Sequence, residues 1–265
     1  MNHDISLHPV EVDLLCTFAE VEPPFPLEIP DTGRSEHERA LVFHVAREQL
    51  AERGLADDEG PLGLADEFVH LLRFGSGVLD LVVAEEKTTV GAVVLAYRTD
   101  ALIVVQRADD PYGTVIVRKV TLDQAVDELY DIIPRLEAAS ATPFTLPHSA
   151  LQQAFEALIA DLPTEDGIRP RKLPPRVVEE ILAQHGIDDR VSRRMVQYLQ
   201  PVLGNGQAGL ARRSDGDWHR KDEIRWLDTE NGRYHLDGDG AWMSVNPFAP
   251  EEIRAALRKL AAGLR

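Results

Sequence analysis

The chain has 265 residues, with 28 lysines and arginines against 45 aspartates and glutamates, a formal net charge of −17 and a pI near 4.9. That balance argues against nucleic acid and against anionic membrane as partners, since both demand a basic surface. A single cysteine excludes a disulfide framework and a cysteine zinc site.

Hydrophobic residues make up 44% of the chain, so a folded globular protein is expected, as two modest domains or one large one. Cys16 lies among Leu14, Leu15 and Phe18 and reads as a buried thiol. The longest uncharged apolar run, TTVGAVVLAY at 88–97, is half of what a bilayer span needs. The start, MNHDISLHPVEVD, lacks the basic and apolar regions of a secretory signal, and a cytoplasmic protein is expected.

In chain order, residues 10–18 suit either a strand or a helix. PPFPLEIP (23–30) carries four prolines and must be extended. Ser35 with Glu38 makes a capping box, Leu41, Val45 and Leu50 give a stripe expected to be buried, and Gly54 is the stop. DDEGPLG (57–63) is a loop, and Leu64, Phe68, Leu71 and Leu72 then recur at helical spacing. Residues 78–84, 90–98, 101–107 and 114–120 are β-branched runs separated by short polar turns, which predicts an antiparallel meander. Thr121 with Gln124 caps a helix that stops at Pro134.

After the linker EAASATP (137–143), Ser149 with Gln152 is expected to cap a helix with Leu151, Phe155, Leu158 and Leu162 on one face. TEDGIRPRKLPP (164–175) is a proline-rich loop. Two short helices follow, broken at Gly186, with Asp188 as the next cap. Strands return at 207–213, 223–228, 233–236 and 242–245, and Asn231-Gly232 marks a hairpin turn because it tolerates positive φ twice. Pro250, Glu251 and Glu252 open a final helix.

The second half reads as a repeat of the first. LLRFGSGVLDLVVA (71–84) aligns with QPVLGNGQAGLARR (200–213), both joining a helix end to a strand through Gly75/Gly77 and Gly204/Gly206. The strand and helix at 115–133 align with those at 243–261, and PFPL (24–27) with PFTL (143–146). The expected fold is α+β: an internally duplicated body of approximate two-fold symmetry, with a central antiparallel or mixed sheet flanked by helical bundles. The halves divide as 1–140 and 141–265, and residues 64–134 are expected to superpose on 188–262.

No catalytic, cofactor or metal constellation emerges. Gly75-Ser76-Gly77 lacks a third glycine and precedes a strand, and no G-x-S-x-G elbow exists. His219 beside Asp217 and Asp222 reads as a solvated turn, and Asp237-Gly238-Asp239 as a hairpin connection rather than a calcium loop. Trp218, Trp226 and Trp242 all fall in the second meander, where one left exposed is a candidate partner anchor.

FVHLLRFGSGVLDLVVAEE (68–86), FPLEIP (25–30) and RWLDTENGRYHL…WMSVNPFAPEEIRAALRKL (225–260) resemble the EspG family of ESX (type VII) secretion-associated proteins. Asp228, Thr229, Gly232 and Arg233 form the most specific part of the match. The resemblance implies a cytosolic actinobacterial chaperone without cofactor or catalysis. Such a chaperone binds PE–PPE heterodimers at the PPE helical tip, keeps them soluble and directs them to the translocase. It also implies a cargo contact in the loop between the second and third strands, here Glu85, Glu86, Lys87, Thr88 and Thr89, shorter than is usual. Trp218 is added as a contact on its own account, as an aromatic in a polar turn. The alternative is a small-molecule-binding enzyme or regulator using a cleft between the halves, marked by converging polar residues of shifted pKa. A chaperone instead shows an exposed apolar patch rimmed with charge.

Overall fold

The protein, as a computed structural model, is described over residues 4–97, 100–160, 173–187, 189–214, 217–238 and 240–265. Its first half runs β1 (Ile5–Leu7), α1 (Pro9–Ala19), α2 (Glu36–Glu52), α3 (Leu64–Phe74), β2 (Val78–Glu85), β3 (Thr89–Tyr97), β4 (Asp100–Arg107), β5 (Val115–Thr121) and α4 (Leu122–Ile132). The second runs β6 (Phe144–Pro147), α5 (His148–Ala160), α6 (Pro175–Gln184), α7 (Asp189–Tyr198), β7 (Val202–Ser214), β8 (Asp217–Thr229), β9 (Gly232–Asp237), β10 (Trp242–Pro247) and α8 (Pro250–Ala262). All ten strands join one sheet in the order β1-β5-β4-β3-β2-β7-β8-β9-β10-β6. Every neighbouring pair is antiparallel. Within each meander short turns leave consecutive strands no other way to pair, whereas β1–β5, β2–β7 and β6–β10 join strands distant in the chain. The fold is α+β with a large antiparallel sheet, and eight helices accompany it among the described residues.

Side chains alternate across the sheet, so each strand feeds two cores. Leu79, Leu81 and Val83 of β2 share one core with Leu129 of α4 and Leu257 of α8. Val78, together with Val93 and Leu95 of β3, points the other way and packs with Phe68 and Leu72 of α3 and Leu15 of α1. Leu227, Tyr234 and Val245 form a third core with residues of α5, α6 and α7. The apolar runs GAVVLA and ALIVV are buried on both faces, which explains why they show no alternation.

Residues 10–18 fall in a helix. His8 caps α1 by accepting from the Val10 N–H, and Glu11 returns a bond to the His8 N–H at 2.8 Å. The stripe on α2 is a correction: Leu50 is buried, but Leu41 and Val45 are about half exposed. Ion pairs set the rotation of this helix instead. Arg39 reaches Asp13 at 2.7 Å and Arg53 reaches Glu11 at 2.5 Å, which turns Ala46 and Leu50 toward α1.

In the second half, α5 begins at His148, so Ser149 lies inside the helix rather than at its cap. The side chains of Phe155 and Leu158, residue Leu162, Asp188, and the greater part of the proline-rich loop fall outside the described residues. β7 and β8 run well beyond 207–213 and 223–228 as one long hairpin. The turn after β8 also differs from expectation. Thr229 pairs with Gly232, so Glu230 and Asn231 form the loop, and only Gly232 has positive φ. Thr229 Oγ1 stabilises this turn by donating to the Gly232 carbonyl and accepting from the Asn231 N–H.

Two of the sequence anchors occupy different places in the two halves. PFTL supplies edge strand β6, whereas PFPL lies outside any strand. Gly75 ends α3 and Gly77 precedes β2, but Gly204 and Gly206 lie inside β7. Gly206 makes room for the indole of fully buried Trp226: a Cβ there would stand 2.1 Å from Trp226 Cζ2. The third anchor holds equivalent places, since β5 leads into α4 and β10 into α8, each strand next to an edge strand.

The Asp228–Arg233 pair fastens the linker between the halves. The two residues face each other across β8 and β9, both almost fully buried, with contacts of 2.5 and 2.7 Å. Arg233 also donates from its side chain to the Pro134 carbonyl and from its backbone to the Glu137 carbonyl. Replacing Gly206 by valine is expected to expel Trp226 and to destabilise the chain by about 1–3 kcal/mol. Urea unfolding followed by tryptophan fluorescence measures both effects, and an unchanged midpoint would refute the account.

Candidate functional site

The centre of the sheet is a seam where β2 pairs with β7, from Val78 against Ala211 to Glu85 against Gly204. Asp80 lies in this seam with only 3% of its surface exposed. Arg220 of β8 crosses β7 to meet it, at 2.9 and 3.0 Å from the two carboxylate oxygens. The crossing is possible because Gly209 stands between them; a Cβ there would fall 1.5 Å from Arg220 Nη1. A bulge contributes too. Leu210 pairs with Asp222 but Ala211 pairs with Arg220, leaving Lys221 unmatched. That extra residue puts Arg220 on the same face as Glu223, 3.4 Å away, and Glu223 in turn bonds Arg225. Burial is the largest influence on Asp80 and outweighs the hydrogen bonds from Arg220, so its carboxyl is pushed up to about 6.

Beside this polar line, on the same face, a cleft of about 570 Å³ opens. Its floor includes Val82, Gly91 and Gln207 of the central strands. One wall is the proline segment, which can lie close because Gly91 has no side chain; a Cβ there would be 3.1 Å from Pro26 Cγ. The other wall is the turn after β4. Gln106 ties the walls together: its Oε1 accepts from the Glu28 N–H at 2.7 Å, and its Nε2 donates to the carbonyls of Glu28 and Gly113. Asp110 shapes the turn. Bonds from Thr114 and from the Tyr112 N–H hold its carboxyl below the ordinary value. Two aromatics project at the mouth, Phe25 at 54% exposure and Tyr112 at 74%. Arg220 lies 5.8 Å from the Phe25 ring centroid, so seam and cleft are continuous.

The predicted contact residues separate into two places. Glu85, Glu86, Lys87, Thr88 and Thr89 form a tight turn at one end of the seam, closed by the Glu85 N–H donating to the Thr88 carbonyl at 2.9 Å. Thr89 lines the cleft, and its carbonyl accepts from the Ala108 N–H. Trp218 is a correction: it sits in β8 opposite Arg213, not in a turn, and packs half-buried against the core of α1 to α3. Strand β2, eight residues and therefore roughly 23 Å long, separates its end of the sheet from the Glu85 turn. Trp226 is core, and the exposed tryptophan is Trp242, at 61%. Phe25 and Tyr112 do not stand out in the sequence as lining one cleft, because FPLEIP reads as extended chain and as part of the family resemblance, and residues 108–113 only as a short polar turn. Their proline density was the available signal, since it fixes backbone that would otherwise need ordering.

Other polar groupings serve the fold. His185 sits between Ser149 Oγ at 3.4 Å and Gln153 Oε1 at 3.1 Å, which ties α6 to α5. Burial pushes the Cys16 thiol up to about 12, as an inert core thiol requires. A second cleft, of about 610 Å³, lies over the linker, and its Arg233 is already engaged by Asp228. Among the described residues, no three histidine, cysteine, aspartate or glutamate side chains group as metal ligands.

Comparison with known proteins gives a family match and a structural match. The EspG family matches residues 8–259. The fold is similar to that of the Mycobacterium tuberculosis type VII secretion system chaperone EspG5, solved in complex with a PE25–PPE41 dimer. The TM-score is 0.63 at 12% identity, covering 99% of this chain and 97% of that one. An acyl-ACP thioesterase from Bacteroides thetaiotaomicron is aligned over 94% of this chain and 97% of its own at 13% identity, but its TM-score is 0.19 and it carries no argument. No curated protein matches by sequence.

The buried Asp80 gives the seam a pH signature. Its folded-state value lies above the ordinary 3.8, so between about pH 4 and 6 the folded chain holds a proton that the unfolded chain has released. The contribution is full below that window and is lost as pH rises through it, by roughly 3 kcal/mol for a displacement of this size. Unfolding free energies from pH 4 to 7 should fall more steeply in the natural chain than in Asp80→Asn. Parallel curves would show that Asp80 does not titrate in this window.

Proposed function

The chain belongs to the EspG family, and from that premise we propose that it is a cytoplasmic chaperone that binds PE–PPE-type secretion substrates at the PPE helical tip. It keeps them soluble and directs them to a type VII (ESX) secretion system, without catalysis or cofactor. The observation that carries this reading is the family match over residues 8–259. The similarity of fold to EspG5, itself solved with a PE25–PPE41 dimer, supports it over 99% of the chain. Among the described residues no helix is long and apolar enough to cross a membrane.

The halves 1–140 and 141–265 are an internal duplication in this proposal. Both run strand, three helices, four strands, helix, and the sheet order is palindromic about the β2–β7 seam. A near two-fold rotation should therefore lay residues 64–134 on 188–262, with α1–α3 and α5–α7 as the flanking bundles. Superposition of the halves in an experimental structure checks this.

The cargo contact is assigned to the turn at Glu85–Thr89, where Glu85 and Lys87 are exposed. A one-to-one complex burying on the order of 1,600 Å² in total is expected. Exchanging the charges at Glu85 and Lys87 should change the association rate and the choice among heterodimers more than the ceiling of affinity. Calorimetric and kinetic titration against PE–PPE heterodimers encoded in the same genome is the test. The absence of binding to any of them would overturn the chaperone reading.

A further inference from the structure

The geometry points to the cleft between the proline segment and the β4–β5 turn as the socket for cargo, with Phe25 and Tyr112 as its anchors and a basic-flanked helical tip as its occupant. This rests on the chaperone reading above and deepens it, since neither aromatic belongs to the Glu85–Thr89 turn. An anchor needs a large apolar surface that water leaves on binding, and Phe25 and Tyr112 face one cleft with most of their surface free. A socket also binds more tightly when its walls are already ordered. Here the prolines stiffen one wall, Asp110 fixes the turn of the other, and Gln106 bonds both.

Size allows the approach. One turn of helix, about 5.4 Å of a cylinder roughly 10–12 Å across, fills about 400–600 Å³. A cleft of about 570 Å³ is large enough to receive side chains from the end of a helical element. Charge selects the flanks. Glu28 and Glu85 are exposed near the mouth and Asp110 lies on the turn, while Arg107 and Asp109 engage each other and Arg220 beside Phe25 is engaged by Asp80. Lys87 is then the exposed cation of the adjoining turn, and carboxylates outnumber it. In a chain of net charge −17, such a rim attracts lysine or arginine beside an apolar tip.

The test is titration of purified PE–PPE heterodimers from the same genome, together with the PE25–PPE41 dimer, against the natural chain, Phe25→Ala, Tyr112→Ala and the pair Glu28→Lys/Glu85→Lys. Leu41→Ser/Val45→Ser on α2 serves as an exposed apolar surface outside the cleft. Thermal unfolding checks that each variant is folded; Tyr112 is exposed enough that its removal leaves the fold intact. Each aromatic truncation should weaken binding at least about tenfold, mainly through faster dissociation. The charge pair should slow association about three- to tenfold, and high salt should slow the natural chain similarly. If heterodimer binds the natural chain but Phe25→Ala and Tyr112→Ala bind within about twofold of it, the cleft proposal is overturned and the chaperone reading stands. A loss confined to the α2 variant overturns it equally and moves the contact to that helix. Failure of every heterodimer to bind the natural chain overturns both.

Discussion

The pairing of β2 with β7 joins two four-stranded meanders, each of which would otherwise end in a long open edge. That pairing converts two marginal layers into one sheet, and the cores on both faces require it. Leu79 and Leu81 share a core with Ala208, Leu210 and α8, so elements from distant parts of the chain are buried together only when the seam is closed. The C-terminal segment is tied to the same place, because Ser76 donates to the Leu264 carbonyl just before β2 begins.

The seam contains a costly group at its centre. A carboxylate between two central strands loses its water, and a guanidinium from a third strand restores only part of that loss. Apolar residues at Asp80 and Arg220 would suit stability as well or better. The pair instead fixes the register of β7 against both neighbours, since a shift by one residue would put Gly209 out of the guanidinium's path. It also keeps the face between the helix layers polar next to an aromatic-lined cleft. This combination separates the region from the sealed cores on either side.

Much of the architecture was legible in the sequence because it is written in local patterns. β-branched runs with short turns gave the first meander, and Thr121 with Gln124 gave the start of α4, whose capping box is present. Where long-range contacts decide, local patterns misled. The stripe of α2 follows helical spacing, yet Arg39 and Arg53 turn it outward through acids on α1. Asn231-Gly232 has the composition of one turn and forms another, because the register of Asp228 against Arg233 shifts the loop by one residue. Trp218 sat in a polar stretch that a bulge draws into a long strand. The Glu85–Thr89 turn came from family resemblance alone. The cleft beside it was invisible, since it depends on Gln106 reaching the Glu28 backbone across 78 positions of sequence.

The sheet closes its outer boundaries with very little strand. β1 has three residues and β6 has four, the last of them Pro147, which has no N–H to offer. A ten-stranded sheet with long terminal strands would present a template on which extended segments of other chains could add themselves. Here the longest strands, β7 and β8, lie next to the centre, and the outermost strands are the shortest. The two outer margins thus offer little strand to another chain, and the longer open stretch lies along Asp217–Arg225 of β8, beyond the residues that pair with β9. An extended segment of another chain arriving at either margin would find only three or four residues to pair with, too short a template to hold it.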